Sequence, residues 1–265
     1  MKKANVILLI SIFTILSFVV KAQKQPIISE LKLVAKTPSE IRGISAIAYN
    51  EGKIWAISSH DKGRYAIFNL EDNKWELSDS GEHYKAIREI AGRYNDVGGM
   101  TFANEKLWLG SGYGYSFGSV DMKTWKVANN FQRKHRDDNT ASQRYAGMAF
   151  DGTYLWIAWH WYKYALTNAE TQVLLKIEPE TGKVIAEYPL PPGQRNAGAR
   201  GLTYDGESLW DIKGNQLSKI DTSNGNVVSQ YQLNEIKYGI SLAWDGDSLW
   251  IIADRGLWKL PLKNN

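Results

Sequence analysis

A ten-residue pattern ending in tryptophan occurs five times along this chain, each time without a gap. It reads Ala46-Ile-Ala-Tyr-Asn-Glu-Gly-Lys-Ile-Trp55, then Gly99-Met-Thr-Phe-Ala-Asn-Glu-Lys-Leu-Trp108 and Gly147-Met-Ala-Phe-Asp-Gly-Thr-Tyr-Leu-Trp156. The last two copies are Gly201-Leu-Thr-Tyr-Asp-Gly-Glu-Ser-Leu-Trp210 and Ser241-Leu-Ala-Trp-Asp-Gly-Asp-Ser-Leu-Trp250. Each copy runs small, aliphatic, small, aromatic, four turn-forming residues, aliphatic, Trp. Apolar alternation on both sides of a tight turn describes two antiparallel strands. The tryptophans are 53, 48, 54 and 40 residues apart. Spacings of that size, with several short strands in each, indicate the blades of a propeller and not a helical solenoid.

Each repeat continues into two further strands. In the fourth, Leu217 to Asp221 and Val227 to Leu233 follow the first pair, with Asn224-Gly225 as a hairpin signal between them. The third matches it with Leu174 to Glu178, Thr181-Gly182 and Val184 to Tyr188. The first two are rougher, with Tyr65 to Leu70 and Trp75 to Leu77, and Ser116 to Met122 and Trp125 to Val127. The fifth runs out of chain after Leu262 and lacks its fourth strand. Ile28 to Ala35 is an orphan strand at the other end, with Ile28, Leu31, Leu33 and Ala35 largely of one alternating face. An unpaired strand edge is a liability, so this segment is expected to close the ring as the outermost strand of the last blade. The expected fold is all-β, a five-bladed β-propeller closed by an N-terminal strand. A short helix is expected within Gly81 to Tyr94, and an exposed loop over Lys134 to Gln143.

The first residues are set aside from the fold. Lys2-Lys3, the apolar run Val6 to Val20, and Val20-Lys21-Ala22 have the organisation of a secretory signal peptide over 1–22, leaving a propeller domain over 23–265. Losing Lys2, Lys3 and Lys21 would reduce 32 basic residues to 29 against 28 acidic ones, so no strong basic field favours nucleic acid. The absence of cysteine excludes a lipobox, disulfides and thiol chemistry. These features predict a periplasmic or secreted monomer, with no membrane contact once the leader is cleaved.

The signature of repeats three to five, with Gly201-Leu-Thr-Tyr-Asp-Gly-Glu-Ser-Leu-Trp210 and Leu217-Ser-Lys-Ile-Asp221, resembles the virginiamycin B lyase-like, streptogramin lyase and quinoprotein-like propellers. With five repeats, the chain also resembles the plant-type glutaminyl cyclases (glutamine cyclotransferases), which are secreted five-bladed propellers. That family has a catalytic Glu in a Glu-Ser-Thr-Gly context just after the aromatic of an early second strand. Here the stretch is Trp55-Ala56-Ile57-Ser58-Ser59, without the Glu. The resemblance therefore implies a fold, and a fold does not fix a function.

It also implies that connections leading into a first strand, and those joining second to third strands, share one face of the ring. The first group supplies Arg42, Asp96, Arg144, Arg200 and Tyr238; the second supplies His60, Tyr113, Trp159, His160, Asp211 with Lys213, and Asp254 with Arg255. Both charge signs beside aromatic faces suit a small polar molecule, a glycan or a peptide. The expected ligand-binding set is Arg42, Asp96, Tyr113, Arg144, Trp159, His160, Arg200, Asp211 and Arg255. His160, between two tryptophans, and His60, before Asp61, are the candidate bases should the protein be a metal-independent cyclase-like transferase or a lyase. No cofactor is implied, and no metal: there is no His-x-x-x-His and no EF-hand spacing. Gly110 to Gly118 lacks the Gly-Lys-[Ser/Thr] of a phosphate loop.

Overall fold

The computed structural model describes residues 30–58, 64–78, 81–92, 96–112, 114, 116–133, 141–163, 170–190 and 201–262; for 82, 141–144, 160–163, 170 and 171 it describes the backbone alone. The leader, Ile28 and Ser29 lie outside these residues. Twenty strands form five four-stranded antiparallel sheets. Blade 1 contains β2(Ile44–Asn50), β3(Lys53–Ser58), β4(Tyr65–Asn69) and β5(Lys74–Ser78). After helix α1(Gly81–Ala91), blade 2 contains β6(Val97–Ala103), β7(Lys106–Ser111), β8(Ser116–Asp121) and β9(Val127–Gln132). Blade 3 has β10(Ala141–Phe150), β11(Leu155–Lys163), β12(Glu170–Ile177) and β13(Val184–Pro189). Blade 4 has β14(Gly201–Tyr204), β15(Leu209–Lys213), β16(Gln216–Ile220) and β17(Val227–Gln232). Blade 5 has β18(Gly239–Trp244), β19(Ser248–Ala253) and β20(Gly256–Pro261), and its fourth, outermost strand is β1(Lys32–Lys36). The ring is closed as expected, by antiparallel pairing of β1 with β20.

The innermost strands β2, β6, β10, β14 and β18 touch one another in a cycle. A Cβ added to Gly99 would lie 2.7 Å from the Gly147 Cα, and one on Gly201 would lie 2.5 Å from the Ser241 Cα. Equivalent positions of successive repeats thus face each other, so the innermost strands run in the same direction. This contact explains the small residue that opens each copy of the pattern. At the closing seam the residue is Ser241, whose hydroxyl accepts the buried Ile47 N–H at 3.0 Å. In blades 1, 2, 3 and 5 the first strand carries a bulge just before this position, at Ser45, Gly98, Ala146 and Ile240, which redirects the chain at the rim.

Five apolar clusters fill the wedges between successive blades. In blades 3, 4 and 5 the Asp of the Asp-Gly turn fixes both the turn and the tryptophan. Oδ1 of Asp151, Asp205 and Asp245 accepts the backbone N–H two and three residues on, at 2.7–2.8 Å. Oδ2 accepts the indole N–H of Trp156, Trp210 or Trp250 at 2.6–2.7 Å. Lys176, Lys219 and Lys259 on the third strands lie over the same indoles. Asn50 and Ala103 occupy the Asp position in blades 1 and 2, and among the described residues the buried Trp55 Nε1 has no hydrogen-bond partner.

The seam between blades 1 and 2 is built differently. In blades 2, 3 and 4 an outer-strand aromatic stacks on the repeat tryptophan of its blade: Phe131 on Trp108, Tyr188 on Trp156, Tyr231 on Trp210. The third-to-fourth-strand turn of the next blade then crosses that ring at a glycine of positive φ. A Cβ on Gly182 would meet the Phe131 ring at 2.5 Å, and one on Gly225 would overlap Tyr188. In blade 1 the outer-strand residue is Ser78, and the facing turn residue is Trp125, at φ 52. Trp125 stacks on Tyr65, which stacks on Trp55, and His83 of α1 also stacks on Trp125 while its Nδ1 meets the Tyr65 hydroxyl at 2.6 Å. A bulky residue in the left-handed region costs about 1–2 kcal/mol. Here the indole fills the volume left by the missing aromatic.

Three expectations need correction. Trp125 belongs to this turn and the fourth strand starts at Val127, because the left-handed residue is required there. Leu33 is 49% exposed: the bulge between Leu33 and Ala35 breaks the alternation, so Leu31, Val34 and Ala35 carry the packing. Ala141 to Gln143 belong to β10, which extends beyond its repeat by pairing with the long β11, and residues 134–140 lie outside those described.

Removing residues up to Lys36 opens the ring at its last blade. The truncated protein should show one cooperative transition lowered by about 10 °C or more, whereas a loss confined to a minor early transition would argue against closure by this strand. Trp156 is fully buried, so Trp156→Ala should cost about 3–5 kcal/mol in chemical denaturation.

Candidate functional site at the rim between blades 3 and 4

Strand polarity puts the starts of the first strands and the ends of the second strands at one rim of the ring, and the Asp-Gly and Asn-Gly turns at the other. Within that rim, the facing sides of blades 3 and 4 are chemically distinct. Away from the rim the seam is apolar, with Ala149, Trp156, Leu174, Leu209 and Ile220 packed together. Toward the rim, the same side of β15 turns charged. Asp211 follows Leu209 on that side and is only 2% exposed. Lys213 follows two residues later, with its Nζ buried.

Register extends this polar face outwards. Asp211 is opposite Ser218 on β16, and Ser218 is opposite Gln230 on β17, whose amide reaches the Ser218 hydroxyl at 3.4 Å. On blade 3, buried Gln172 lies on the same side as Leu174 and supplies the carbonyl that accepts the Leu190 N–H at 3.0 Å. The positions equivalent to Asp211 in the other blades are Ala56, Leu109, Ile157 and Ile251, all buried. Those equivalent to Lys213 are Ser58, Ser111, Trp159 and Ala253. Only blade 4 departs from the apolar or small pattern with a pair of opposite charges. Burying charges costs several kcal/mol per ion before pairing, so hydrophobic residues would serve the seam better if packing were its only task.

The sequence-derived residues are distributed as follows. Arg144 and His160 are direct cross-strand partners on β10 and β11, and His160 in turn is opposite Gln172 on β12. Their side chains lie outside the described residues, as do His60, Tyr113 and Arg200 altogether. Asp211 stands on the neighbouring blade. Asp96 is at the rim of blade 2, where its carbonyl accepts the Gly112 N–H at 2.5 Å and its carboxyl covers Gly112 closely enough that a Cβ there would lie 2.7 Å from Cγ. Arg42 and Arg255 are exposed at the rims of blades 1 and 5. Trp159 is 2% exposed and packs into the wedge between blades 2 and 3, with the Arg133 guanidinium 4.9 Å over its ring and Glu187 paired to Arg133 at 2.5 Å. Beside it, burial pushes the Tyr145 phenol well above its ordinary range against the opposing pull of Arg133, so it stays neutral.

Gln172, Ser218 and Gln230 were not singled out from sequence. Their signal is visible only once register aligns the third and fourth strands of each blade, where Ser218 replaces Ala66, Gly118, Leu175 or Trp258. Among the described residues no cluster of His, Cys, Asp and Glu could hold a metal ion, and no helix is long and apolar enough to cross a membrane.

No protein-family model matches the sequence, and no curated protein matches it. Solved structures do. The glutaminyl cyclase of Myxococcus xanthus superposes with a TM-score of 0.57 at 9% identity, over 86% of this chain and 94% of that one. A catalytically inactive virginiamycin B lyase from Staphylococcus aureus, solved with quinupristin, gives 0.48 at 13% identity over 88% and 99% of the two chains. The extracellular domain of a hybrid two-component system from B. thetaiotaomicron gives 0.47 at 11% identity, over 84% of this chain and 28% of that one. At such identities the likeness is one of architecture, and it agrees with the strand topology: this chain is a five-bladed β-propeller that resembles the glutaminyl cyclase in fold.

Proposed function

We propose that this protein is an exported propeller that binds a small polar ligand, a glycan or a peptide at the rim where blades 3 and 4 meet. The observation that carries this reading is the Asp211/Lys213 pair, buried where the other four blades place apolar or small residues. Opposite charges two residues apart on one strand, flanked by Gln172, Ser218 and Gln230, can meet the carboxylate and ammonium of a zwitterion, or the hydroxyls of a sugar. Arg144 and His160 are paired on the facing blade and would complete the site. Export rests on the leader sequence.

A cyclase activity like that named for the Myxococcus protein has less support. The strand that should carry the family's glutamate is Lys53–Ser58, where Ala56 and Ser58 are buried and no acidic residue is present. Incubation with a peptide bearing N-terminal glutamine should therefore release no ammonia, and mass spectrometry should show no loss of it.

Binding is tested by a thermal-shift screen with amino acids, dipeptides and simple sugars. Replacing the pair by residues of other blades, Asp211→Ile with Lys213→Ser, should raise Tm by about 2–8 °C and abolish the shift given by any hit. His160→Ala should weaken the shift without lowering the unliganded Tm by more than about 2 °C. A double variant that keeps the ligand response, or that unfolds more easily than the parent, would show that the pair serves structure alone.

A further inference from the structure

A second patch of the same rim lies on the other side of the ring, over blade 5 and its closing seam with blade 1. Arg42, Arg64 and Arg255 are all exposed there. The backbones of Arg42 and Arg64 are both anchored to Ser58 at the end of β3, and that of Arg255 to Thr37 beside the end of β1. The Ser58 hydroxyl donates to the Arg42 carbonyl, and the Ser58 N–H donates to the Arg64 carbonyl at 3.1 Å. Thr37, just past the end of β1, gives its N–H and its hydroxyl to the Arg255 carbonyl at 3.0 and 3.1 Å.

Beside Arg255 in the same tight turn, both residues of which have positive φ, Asp254 uses its carboxylate on the backbone. It accepts the Lys237 N–H at 2.6 Å and the Tyr238 N–H at 3.2 Å. The next residue, Gly239, donates to the Gly214 carbonyl at 2.6 Å. Tyr238 is thus fixed at its backbone from both sides while 54% of it stays exposed, with the Lys237 ammonium 5.1 Å from its ring centre. Holding an aromatic side chain in water by tertiary hydrogen bonds gives the fold nothing that an exposed polar residue would not. Among the described residues, the acidic groups near these cations include Glu40, whose carboxylate accepts the Ser39 hydroxyl, exposed Glu235 in the Tyr238 loop, and Asp254, whose carboxylate is turned to the backbone.

The distribution of the described arginines points the same way. Among the described residues no arginine occurs in a turn joining a first to a second strand or a third to a fourth; Arg88 lies in α1, Arg144 in a first strand, and Arg42, Arg64, Arg133 and Arg255 in connections of this rim. Lysine shows no such segregation, with Lys123, Lys126 and Lys183 in the turns of the opposite rim. Arginine differs from lysine in its planar fork, which takes a carboxylate or sulfate through two parallel hydrogen bonds.

We propose that the patch formed by Tyr238, Lys237, Arg255, Arg42 and Arg64 binds an acidic saccharide, with the tyrosine face against the sugar ring and the arginines on its carboxylate or sulfate. A pyranose offers an apolar C–H face and an anionic group within one unit, matching a fixed exposed ring bordered by cations. The inference rests on the reading of this rim as the ligand-binding face, and it names the ligand class.

Calorimetric titration of the protein with oligogalacturonate and a heparin-derived tetrasaccharide tests it, with maltotetraose as the neutral sugar, inorganic sulfate as the bare anion and a phosphotyrosine peptide as a rival anion. At least one acidic saccharide should bind, and the neutral sugar should not. The Arg42→Gln, Arg64→Gln, Arg255→Gln triple variant should weaken that binding about tenfold or more with Tm unchanged. Tyr238→Ala should weaken the saccharide but not sulfate. Asp211→Ile with Lys213→Ser should leave the acidic saccharide bound. The proposal is overturned if no acidic saccharide binds, if maltotetraose, sulfate or the peptide binds as tightly as the acidic saccharide, or if the triple variant binds like the parent. Loss in the Asp211/Lys213 variant with retention in the triple variant would instead keep the blade 3/4 site and remove this one.

Discussion

Every feature of this molecule depends on how closely its five innermost strands approach. Gly99 against Gly147 and Gly201 against Ser241 leave no room for larger side chains, and a bulge just outside the contact bends the chain away at the rim. The ring exists only if its last blade also meets its first. That join has two parts, the Ser241 hydroxyl on the Ile47 amide at the centre and β1 on β20 at the periphery. The termini therefore do structural work, and Leu31 and Leu262 pack near Tyr231, where other blades bring a turn across the equivalent ring.

The blades are not equivalent. Blades 3, 4 and 5 share the Asp–turn–Trp–Lys arrangement, in which one carboxylate satisfies two turn amides and an indole. Blades 1 and 2 lack it and are joined by α1, by the His83–Tyr65 contact and by Trp125 in the left-handed region. Size is exchanged across this seam: glycine faces an aromatic ring at two junctions, and tryptophan faces serine at the third. Close packing permits either combination, because what matters is the summed volume.

The proposed binding rests on the opposite behaviour at the rim, where packing gives way to polarity. A buried carboxylate and ammonium in blade 4, and a tyrosine held out in water over blade 5, both run against what stability alone selects. They lie at the end of the ring where the connections carry the described loop arginines, while the other end consists of tight turns whose side chains mostly serve their own backbones. Apolar packing fills the seams, so polar groups on adjacent blades are positioned by the core beneath them.

Much of this architecture is legible in the chain itself. Five copies of a two-strand pattern, the missing last strand and the orphan first one determine the blade count and the mode of closure, because each reflects a local requirement: alternation, turn chemistry, an edge needing a partner. The tryptophans are identifiable as core for the same reason, and Asp211 is visible as a charge at the end of an apolar strand. Tertiary structure alone decided the rest. Trp125 becomes a turn residue only because Ser78, 47 residues earlier, leaves a space, and Leu33 turns outwards only because β1 bulges between Leu33 and Ala35, opposite Trp258 and Leu257. Gln172, Ser218 and Gln230 join Asp211 through register across strands and across a blade seam, Arg42 and Arg64 are brought together by Ser58, and ring closure ties the Arg255 turn to Thr37. Sequence periodicity encodes what each strand does with its own two faces; which residues share a site depends on how the strands pair and how the blades are arranged around the axis.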